Sequence, residues 1–306
     1  MKRRNFLKSA AVSTLAAPAI LRNTTTAAAG FEAEERELEI TWLGGATLML
    51  SCGDLTLLTD PCFGEGEQAF KMGDPNEMFD LGKGPNIKFH RRLTPFPGLQ
   101  LNNVDHVILS HLHEDHFDQE AQRVIEKGMS LLAPEHELGV LSSKGFTNLT
   151  GLKWGQEHVL TKGKVKVTIR TVRADHSEDP QISKILGEGN GYWFTFEQGD
   201  WKKSLYWTGD TFPTDAVLQS LGSLGSPDIF IPHLGGVGLT GPLGQISMGA
   251  GHVVQFAKAL NPGKILPLHH STYELYLEPI YHLAESLQGE SHRLDLVSEG
   301  TTLRYI

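Results

Sequence analysis

A dense cluster of potential metal ligands occupies residues 110–116, with the sequence SHLHEDH. It follows an apolar stretch typical of a buried strand and precedes a helical pattern. Burying so many polar groups without partners would cost several kcal/mol, whereas imidazole and carboxylate are common zinc ligands. The alternate spacing lets His111 and His113 point at one ion while Asp115 and His116 turn toward a second. The alternative interpretation is a solvated histidine-rich loop.

Four ligands do not complete two metal sites, and three later positions can supply the rest. Each follows a predicted strand: His176 in RADHS, Asp210 in WTGDT, and His269 or His270 in LPLHHST. Gly209 permits close backbone approach beside Asp210. Any one of these residues alone is more often an ordinary hydrogen-bonded polar group. Together with the central motif they provide the missing ligands.

Apolar patterns predict strands that alternate with a few helices. The predicted strands are 38–43, 46–50, 55–59, 104–109, 129–133, 165–174, 191–197, 203–208, 228–232, 264–268, 292–297 and 301–305. The predicted helices are 117–127, 134–141, 216–221, 248–260 and 273–286. Two packed sheets with helices outside bury such elements, so we expect a single-domain αββα four-layer sandwich over residues 30–306. The long segment 62–101 carries scattered Phe and Met residues, and we expect it to cover the site.

Five stretches carry a resemblance to a known family. They are TWLGGAT (41–47), LTDP (58–61), VILSH (107–111), GDT (209–211) and PLHHST (267–272). With them the chain resembles the metallo-β-lactamase superfamily. It is most similar to the branch of N-acylphosphatidylethanolamine phospholipase D and the L-ascorbate-6-phosphate lactonase-like proteins. The resemblance implies a metallo-β-lactamase fold and a dinuclear metal-dependent hydrolase.

The resemblance also implies two sets of metal ligands that share one bridging carboxylate. They are His111, His113 and His176 for the first ion, Asp115, His116 and His269 for the second, and Asp210 for both. Asp60 would hydrogen-bond the imidazole of a ligand. His270 would then line the pocket beside the ligand His269.

Three departures from the phospholipase branch leave the substrate open. Gly45 stands where that branch usually has His. Residues 177–191 lack an Arg-rich stretch that is common there. The sequence PHLGG at 232–236 replaces an Ile-Gly pattern and brings in the extra imidazole of His233.

Two divalent ions about 3.5 to 4 Å apart would lower the pKa of a shared water from near 16 toward 7. The resulting hydroxide would attack a carbonyl carbon or a phosphorus atom. Zinc suits these ligands, and manganese or iron fits them as well. Asp115 would orient the nucleophile in addition to binding metal. His233 or His270 would assist the leaving group as a general acid, and an ordinary loop histidine is the alternative for each.

We therefore expect hydrolysis of an ester-like bond, either a lactone or a phosphodiester, in a small or acyl-bearing substrate. A β-lactamase is a second hypothesis, suggested by the export signal described below. It is disfavoured because known lactamases of this fold lack the bridging carboxylate that Asp210 would supply. A non-catalytic metal-binding protein is a third hypothesis, and it would lack one or more ligands.

Residues 1–29 predict a twin-arginine signal peptide. The pair Arg3 and Arg4 precedes the apolar run 10–21, which is shorter than the roughly 20 residues that span a bilayer. Small residues end at Ala29, where we expect cleavage. The alternative is a frayed amphipathic tail. Export by this pathway would place the mature protein in the periplasm or outside the cell, without stable membrane insertion.

The net charge restricts the class of expected binding partners, and the cysteine spacing indicates whether a disulfide can form. The signal holds five positive charges and no acid, so its removal lowers the formal net charge from −9 to −14. Such an acidic surface repels nucleic acid and anionic lipids, leaving a small-molecule substrate as the expected partner. Nothing in the sequence indicates an oligomeric state. Cys52 and Cys62 lie roughly 20 Å apart if the chain between them is extended, so we expect two free, buried thiols.

Overall fold

Two β-sheets face each other in the computed structural model, which describes residues 36–306. The strands are β1 Leu38–Gly44, β2 Thr47–Cys52, β3 Leu55–Thr59, β4 Phe70–Gly73, β5 Ile87–His90, β6 His106–Ile108, β7 Ser130–Pro134, β8 Asn148–Leu152, β9 Glu157–Lys162, β10 Val165–Ala174, β11 Gly189–Gln198, β12 Trp201–Trp207, β13 Ile229–Ile231, β14 Lys264–Ile265 and β15 Thr302–Tyr305. The helices are α1 Gln119–Val124, α2 Leu138–Ser143, α3 Pro180–Leu186, α4 Asp215–Leu221, α5 Ala250–Leu260 and α6 Tyr281–Ser286. Short 3₁₀ turns occupy Gly66–Gln68, Leu101–Asn103, Glu135–Glu137 and Gln288–Arg293.

The first sheet has the order β15-β1-β2-β3-β6-β7-β8 and the second has the order β14-β13-β12-β11-β10-β9. Side chains of β10 alternate between buried and partly exposed along most of its length, as the two-residue period of a strand requires. The buried faces of the two sheets meet in one apolar cluster that includes Leu48, Leu57, Ile169, Phe194 and Trp207. This cluster is the centre of the sandwich.

Helices cover the outer face of each sheet. Val217 of α4 and Phe256 of α5 pack with Phe230 of β13 in a second apolar cluster. Ala121 of α1 and Leu141 of α2 belong to a third cluster, which covers the outer face of the first sheet. The order of layers is helix, sheet, sheet, helix, which confirms the αββα prediction.

Parallel strand directions bring several chain segments to one edge of the sandwich. In the first sheet β3 runs parallel to β6. In the second sheet β12, β13 and β14 are parallel, and β10 has the same direction because β11 is antiparallel to both β10 and β12. The segments that follow β3 and β6 therefore leave the first sheet on one side, and those that follow β10, β12 and β14 leave the second sheet on one side. These two sides meet, because His116 Nε2 after β6 lies 3.3 Å from Asp210 Oδ1 after β12.

Several predicted elements differ from the observed ones. The helix predicted over 273–286 is confined to α6, because Pro279 disfavours a helical conformation at the residue before it. The strand predicted over 292–297 is wrong: Leu294 makes a single bridge to Ile265, and no ladder follows within the described chain. Helix α3 and strands β8 and β9 were not predicted. The covering segment 62–101 contains the antiparallel hairpin of β4 and β5.

The predicted signal peptide lies outside residues 36–306 and stays a prediction. Within that described range, the helices are all too short or too polar to cross a bilayer. Cys52 and Cys62 are buried and free, as predicted.

Candidate metal centre

Three imidazoles converge where β6 and β10 end. His113 Nδ1 lies 3.0 Å from His111 Nε2 and 3.2 Å from His176 Nε2. His111 and His176 are buried. Burial lowers the pKa of His176 to about 4, so its ring is neutral at pH 7 and offers a lone pair. Three imidazole nitrogens this close together suit a cation better than they suit one another.

A second group lies beside the first. The ligand atoms of Asp115, His116 and His269 all lie within 4.8 Å of one another. Asp115 Oδ2 is 3.4 Å from His269 Nε2. The Nε2 atoms of His116 and His269 are buried and lack any hydrogen-bond partner. Buried nitrogens without a partner are costly, and a divalent cation between these atoms would satisfy them. The residues present therefore fit a metal ion.

Asp210 lies between the two groups with one oxygen facing each. Its Oδ2 is 3.7 Å from His176 Nε2, and its Oδ1 is 3.3 Å from His116 Nε2. The same Oδ1 lies 4.0 Å from His269 Nε2. Asp210 is thus within reach of both groups. The sequence-predicted ligands thus come together in two sets around Asp210.

The outward-facing nitrogen of His116 is held by Asp60. Asp60 Oδ2 lies 2.7 Å from His116 Nδ1, while Asp60 Oδ1 accepts a hydrogen bond from the Ser110 backbone at 2.7 Å. Asp60 is fully buried and has a φ of +36°, a strained value for a residue with a side chain. The contact leaves His116 Nε2 to face the centre, which is the role predicted for Asp60.

Backbone carbonyls hold two further rings. His176 Nδ1 lies 2.9 Å from the oxygen of Ile246, and His269 Nδ1 lies 2.8 Å from the oxygen of Leu234. A carbonyl oxygen only accepts, so each Nδ1 donates, and in the neutral ring that binds a metal ion Nε2 then carries the lone pair. His269 has a φ of +61°, and its amide donates to Gly45 O at 2.9 Å. The loop is therefore fixed in a strained shape that aims the ring inward.

Two side contacts fix the loop that carries the central motif. His113 Nε2 lies 3.1 Å from the oxygen of Leu186, the last residue of α3. Glu137 accepts a hydrogen bond from the Leu112 amide at 3.0 Å. Burial raises the pKa of Glu137 to about 8. Neither α3 nor Glu137 was assigned to the site from sequence, because contacts to backbone atoms leave no residue-type signal.

A glycine is required beside Asp210. Gly209 has a φ of +57°, and a Cβ placed on it would lie 2.8 Å from Asn190 O and 2.9 Å from Ser110 Cβ. Any larger residue would push apart the segments that carry the two ligand groups. The close backbone approach predicted for Gly209 is therefore present.

His233 does not occupy the position of a general acid. Its ring is fully buried, and it lies between Trp207 Nε1 at 2.6 Å and Asp210 Oδ1 at 3.0 Å. Burial lowers its pKa to about 3. Both ring nitrogens are occupied by protein partners, so His233 is not free to donate a proton to a leaving group, and its predicted acid role is corrected.

His270 points away from the ligand groups. It lines a separate cavity with Thr94 and Phe96, and its ring packs at 4.8 Å from that of Trp42. Burial lowers its pKa to about 4. The chain turns sharply at His269, so the two adjacent histidines face opposite sides. His270 therefore lines a pocket, but not the one above the metal ligands, and its predicted acid role is corrected.

Tyr276 is a candidate that sequence reasoning missed. Its ring packs 4.5 Å from the ring of His269, and its hydroxyl is buried without a hydrogen-bond partner in the described structure. Burial, Asp115 and Asp210 raise its pKa. A Cβ at Gly45 would lie 3.4 Å from this hydroxyl, so the unusual glycine leaves room for it. That glycine was the available sequence signal.

A cavity of about 210 Å³ opens above the ligands. Its apolar wall comes from the covering segment, from α3 and from the loop before α5. The lining includes Met72, Pro75, Phe79, Leu81, Pro85, Ile185, Leu186, Val237, Leu243 and Ile246. The ionisable residues among its lining are His113, Glu114, Asp115, His176 and Asp210, so no Lys or Arg is among the described residues that line it.

Residues 39–269, more than half of the chain, match the model of a protein family that is described as "Beta-lactamase superfamily domain". The chain belongs to the metallo-β-lactamase superfamily. Several of its relatives are metal-dependent hydrolases, and the chain is a metal-dependent hydrolase as well. The matched range includes every predicted ligand from His111 to His269.

Individual relatives support this placement. The chain is 25% identical to UPF0173 protein YddR of Bacillus subtilis over 235 residues. The aligned region covers 76% of this chain and 85% of YddR. The chain is 22% identical to N-acyl-phosphatidylethanolamine-hydrolyzing phospholipase D 1 of Caenorhabditis elegans, covering 85% and 73%. The crystal structure of an isothiocyanate hydrolase from Delia radicum gut bacteria is similar, with a TM-score of 0.71 and 26% identity, covering 87% and 99%.

Proposed function

We propose that the chain is a dinuclear metal-dependent hydrolase that cleaves an ester-like bond in a small, neutral, largely apolar substrate. The observation that carries this proposal is the pair of ligand groups that share Asp210. His111, His113 and His176 would hold one ion, and Asp115, His116 and His269 the other. We propose zinc as the metal, with manganese and iron as alternatives for the same ligands.

Two divalent ions bound there would lower the pKa of a water molecule and polarise a substrate oxygen. The protein's own residues supply orientation. Asp115 lines the cavity, and its carboxylate would accept a hydrogen bond from the attacking water. Although burial opposes it, His116 and His269 hold the pKa of Asp115 below its usual range. The carboxylate therefore stays ionised while it orients the nucleophile.

Tyr276 would take the role that His233 and His270 cannot fill. Because its pKa is raised, the phenol remains protonated and can donate one hydrogen bond. Its hydroxyl has no acceptor within the described chain. We propose that an oxygen of the substrate becomes that acceptor as negative charge develops on it.

The cavity lining favours a neutral substrate. Phosphate groups are usually bound by Arg, Lys or helix N-termini, and within residues 36–306 neither Lys nor Arg lines the cavity. Phe79, Leu81 and Ile185 offer instead an apolar wall for an acyl chain or a ring. A lactone or a carboxylic ester therefore fits the site better than a phosphodiester does.

An isothiocyanate is a second candidate substrate. The solved isothiocyanate hydrolase resembles this chain over nearly its whole length. An isothiocyanate also presents a neutral electrophilic carbon on an apolar group, which the uncharged wall of the cavity would accept. The same centre would serve either reaction, because each needs an activated water close to a polarised substrate atom.

A substrate panel tests this proposal. Metal-replete protein is assayed against lactones, acyl esters, phosphodiesters, isothiocyanates and nitrocefin, a β-lactam. We expect turnover of a lactone, an ester or an isothiocyanate. Asp210→Asn should lower kcat/KM at least about 100-fold because it removes the bridging charge. Asp215→Asn, an exposed position on α4, should change nothing. Full activity of Asp210→Asn on every substrate would contradict the mechanism, and turnover of nitrocefin alone would favour a β-lactamase.

We further propose that the protein acts after export by the twin-arginine pathway, in the periplasm or outside the cell. The motif at residues 3–8 and the apolar run after it support this proposal. The formal charge of the mature chain also argues against a nucleic-acid partner, so the proposed partner is a small molecule.

A further inference from the structure

A buried chain of hydrogen bonds reaches the bridging carboxylate from inside the sandwich. Trp207 Nε1 donates to His233 Nε2 at 2.6 Å, and His233 Nδ1 lies 3.0 Å from Asp210 Oδ1. Trp207 and His233 have no exposed surface. Strands β12 and β13 are parallel, with Trp207 opposite Ile231. The segments that follow them therefore run side by side, which places His233 next to Asp210.

The direction of these hydrogen bonds follows from the chemistry of the groups. An indole N–H can only donate, so His233 Nε2 must accept. A neutral ring then carries its proton on Nδ1, and that N–H donates to Asp210 Oδ1. This oxygen is the one that faces His116 Nε2 and His269 Nε2. Trp207 thus selects the tautomer of His233 whose Nδ1–H donates to Asp210 Oδ1, the carboxylate oxygen that faces His116 and His269.

The ring of His233 has little freedom to leave this position. It stacks on the ring of His269 at 5.3 Å with an interplanar angle of 7°, and on that of His116 at 5.5 Å. Its backbone amide donates to Thr208 Oγ1 at 3.1 Å. The ring is thus clamped from several sides and aimed at Asp210.

We infer that His233 is a positioning residue, oriented by Trp207, that fixes the Asp210 carboxylate and so sets the affinity of the Asp115–His116–His269 site for its metal ion. This inference rests on the proposed dinuclear function. Free rotation of the carboxylate would withdraw Oδ1 from the second site. We therefore expect loss of His233 to weaken the second metal ion more than the first.

Metal titration tests the inference independently of activity. Chelated full-length protein is titrated with Zn²⁺ against a chromophoric competitor, and Co²⁺ absorption spectra are recorded in parallel. We expect two equivalents for the wild type. His233→Leu should weaken one equivalent about 10- to 100-fold and leave the other near its original affinity. His233→Asn, whose amide nitrogen replaces Nδ1, should restore much of the loss.

Matched variants separate positioning from general damage. Trp207→Phe removes the donor that selects the tautomer without touching Asp210, and we expect it to weaken the same equivalent. Trp201→Phe, at the other end of β12, should leave both equivalents unchanged. His106→Leu replaces a half-buried histidine outside the ligand groups and should also have no effect. Urea unfolding of the metal-free proteins reports any loss of folding.

The outcomes distinguish the two proposals. Wild-type affinity for both ions in folded His233→Leu or in folded Trp207→Phe would overturn the inference, as would equal losses in His233→Asn and His233→Leu. If His233→Leu does not fold, the comparison of Trp207→Phe with Trp201→Phe decides. A wild type that binds one equivalent or none would instead contradict the dinuclear function itself.

Discussion

At the scale of single residues, each ligand ring is held by its outward nitrogen so that the other faces inward. His116 uses Asp60, while His176 and His269 use backbone carbonyls. Such contacts fix both the tautomer and the ring orientation before a metal ion arrives. A centre organised this way loses little side-chain entropy on binding metal.

The phenol of Tyr276 gives the first residue-scale prediction. Tyr276→Phe removes only the hydroxyl, so we expect kcat to fall about 10- to 100-fold with unchanged metal content. Steady-state kinetics and metal analysis on the same preparation measure this. Tyr281→Phe, whose ring is 55% exposed on α6, is the control. Unchanged kcat in Tyr276→Phe would remove the hydroxyl from the mechanism.

Glu137 gives a pH-dependent prediction. Burial raises its pKa to about 8 from an ordinary value of 4.5. Between these values the unfolded chain is ionised while the folded chain stays protonated, so stability falls as pH rises from about 4.5 to 8. Glu137→Gln should remove this slope, which is at most about 1.4 kcal/mol per pH unit.

Urea unfolding of chelated protein at several pH values measures the effect. The free energy of unfolding of wild type should fall relative to that of Glu137→Gln as pH rises, and then level off above pH 8. Glu135→Gln changes an exposed acid in the same 3₁₀ turn and should follow the wild type. Parallel curves for wild type and Glu137→Gln would show that Glu137 does not titrate in this range.

At the scale of elements, the strands that carry ligands were predictable because their apolar runs are long and end in His or Asp. Helix α3 was predictable in principle: Asp179 caps its start, Pro180 is its first residue and Gly187 ends it with a φ of +91°. The helix has only seven residues, however, which is too short for a clear helical period of apolar side chains. The error over 273–286 had a different cause: Pro279 disfavours a helix at the residue before it, and Tyr273 and Leu275 pack into an apolar cluster from the irregular segment that precedes it.

The position of α3 beside the cavity leads to a prediction about substrate binding. Ile185 of α3 lines the cavity and is 62% exposed, so a charge there is tolerated by the fold. Ile185→Lys should raise KM for apolar acyl substrates about 10-fold, which corresponds to about 1.4 kcal/mol, with a smaller change in kcat. Val140→Lys, an exposed apolar position on α2, is the control. An unchanged KM would mean that the substrate does not contact α3.

At the scale of the whole molecule, the sandwich brings residues together that are distant in the chain. His111 and His269 lie at the ends of strands in different sheets, and packing of the two apolar faces brings these ends side by side. The sequence predicts the ligand types and the layer order, because both leave patterns of residue type. It does not predict which way His233 and His270 face, because a backbone turn decides that.

Export is a prediction for the whole chain. Replacing Arg3 and Arg4 by Lys should retain the precursor in the cytoplasm, because the twin-arginine pair is the signal that is read. Cell fractionation with immunoblotting measures the distribution and the size of the product. Replacing Lys2 and Lys8 by Arg keeps the charge and should leave export intact. Normal export of the double lysine variant would contradict the proposed pathway.

The most direct test of the central claim is the number of metal ions tightly bound per chain. Elemental analysis of mature protein, purified without chelator and desalted, gives this number. We expect two equivalents for the wild type, because six side chains form two ligand groups on either side of Asp210. One equivalent or less, after reconstitution with zinc, manganese or iron, would contradict the account.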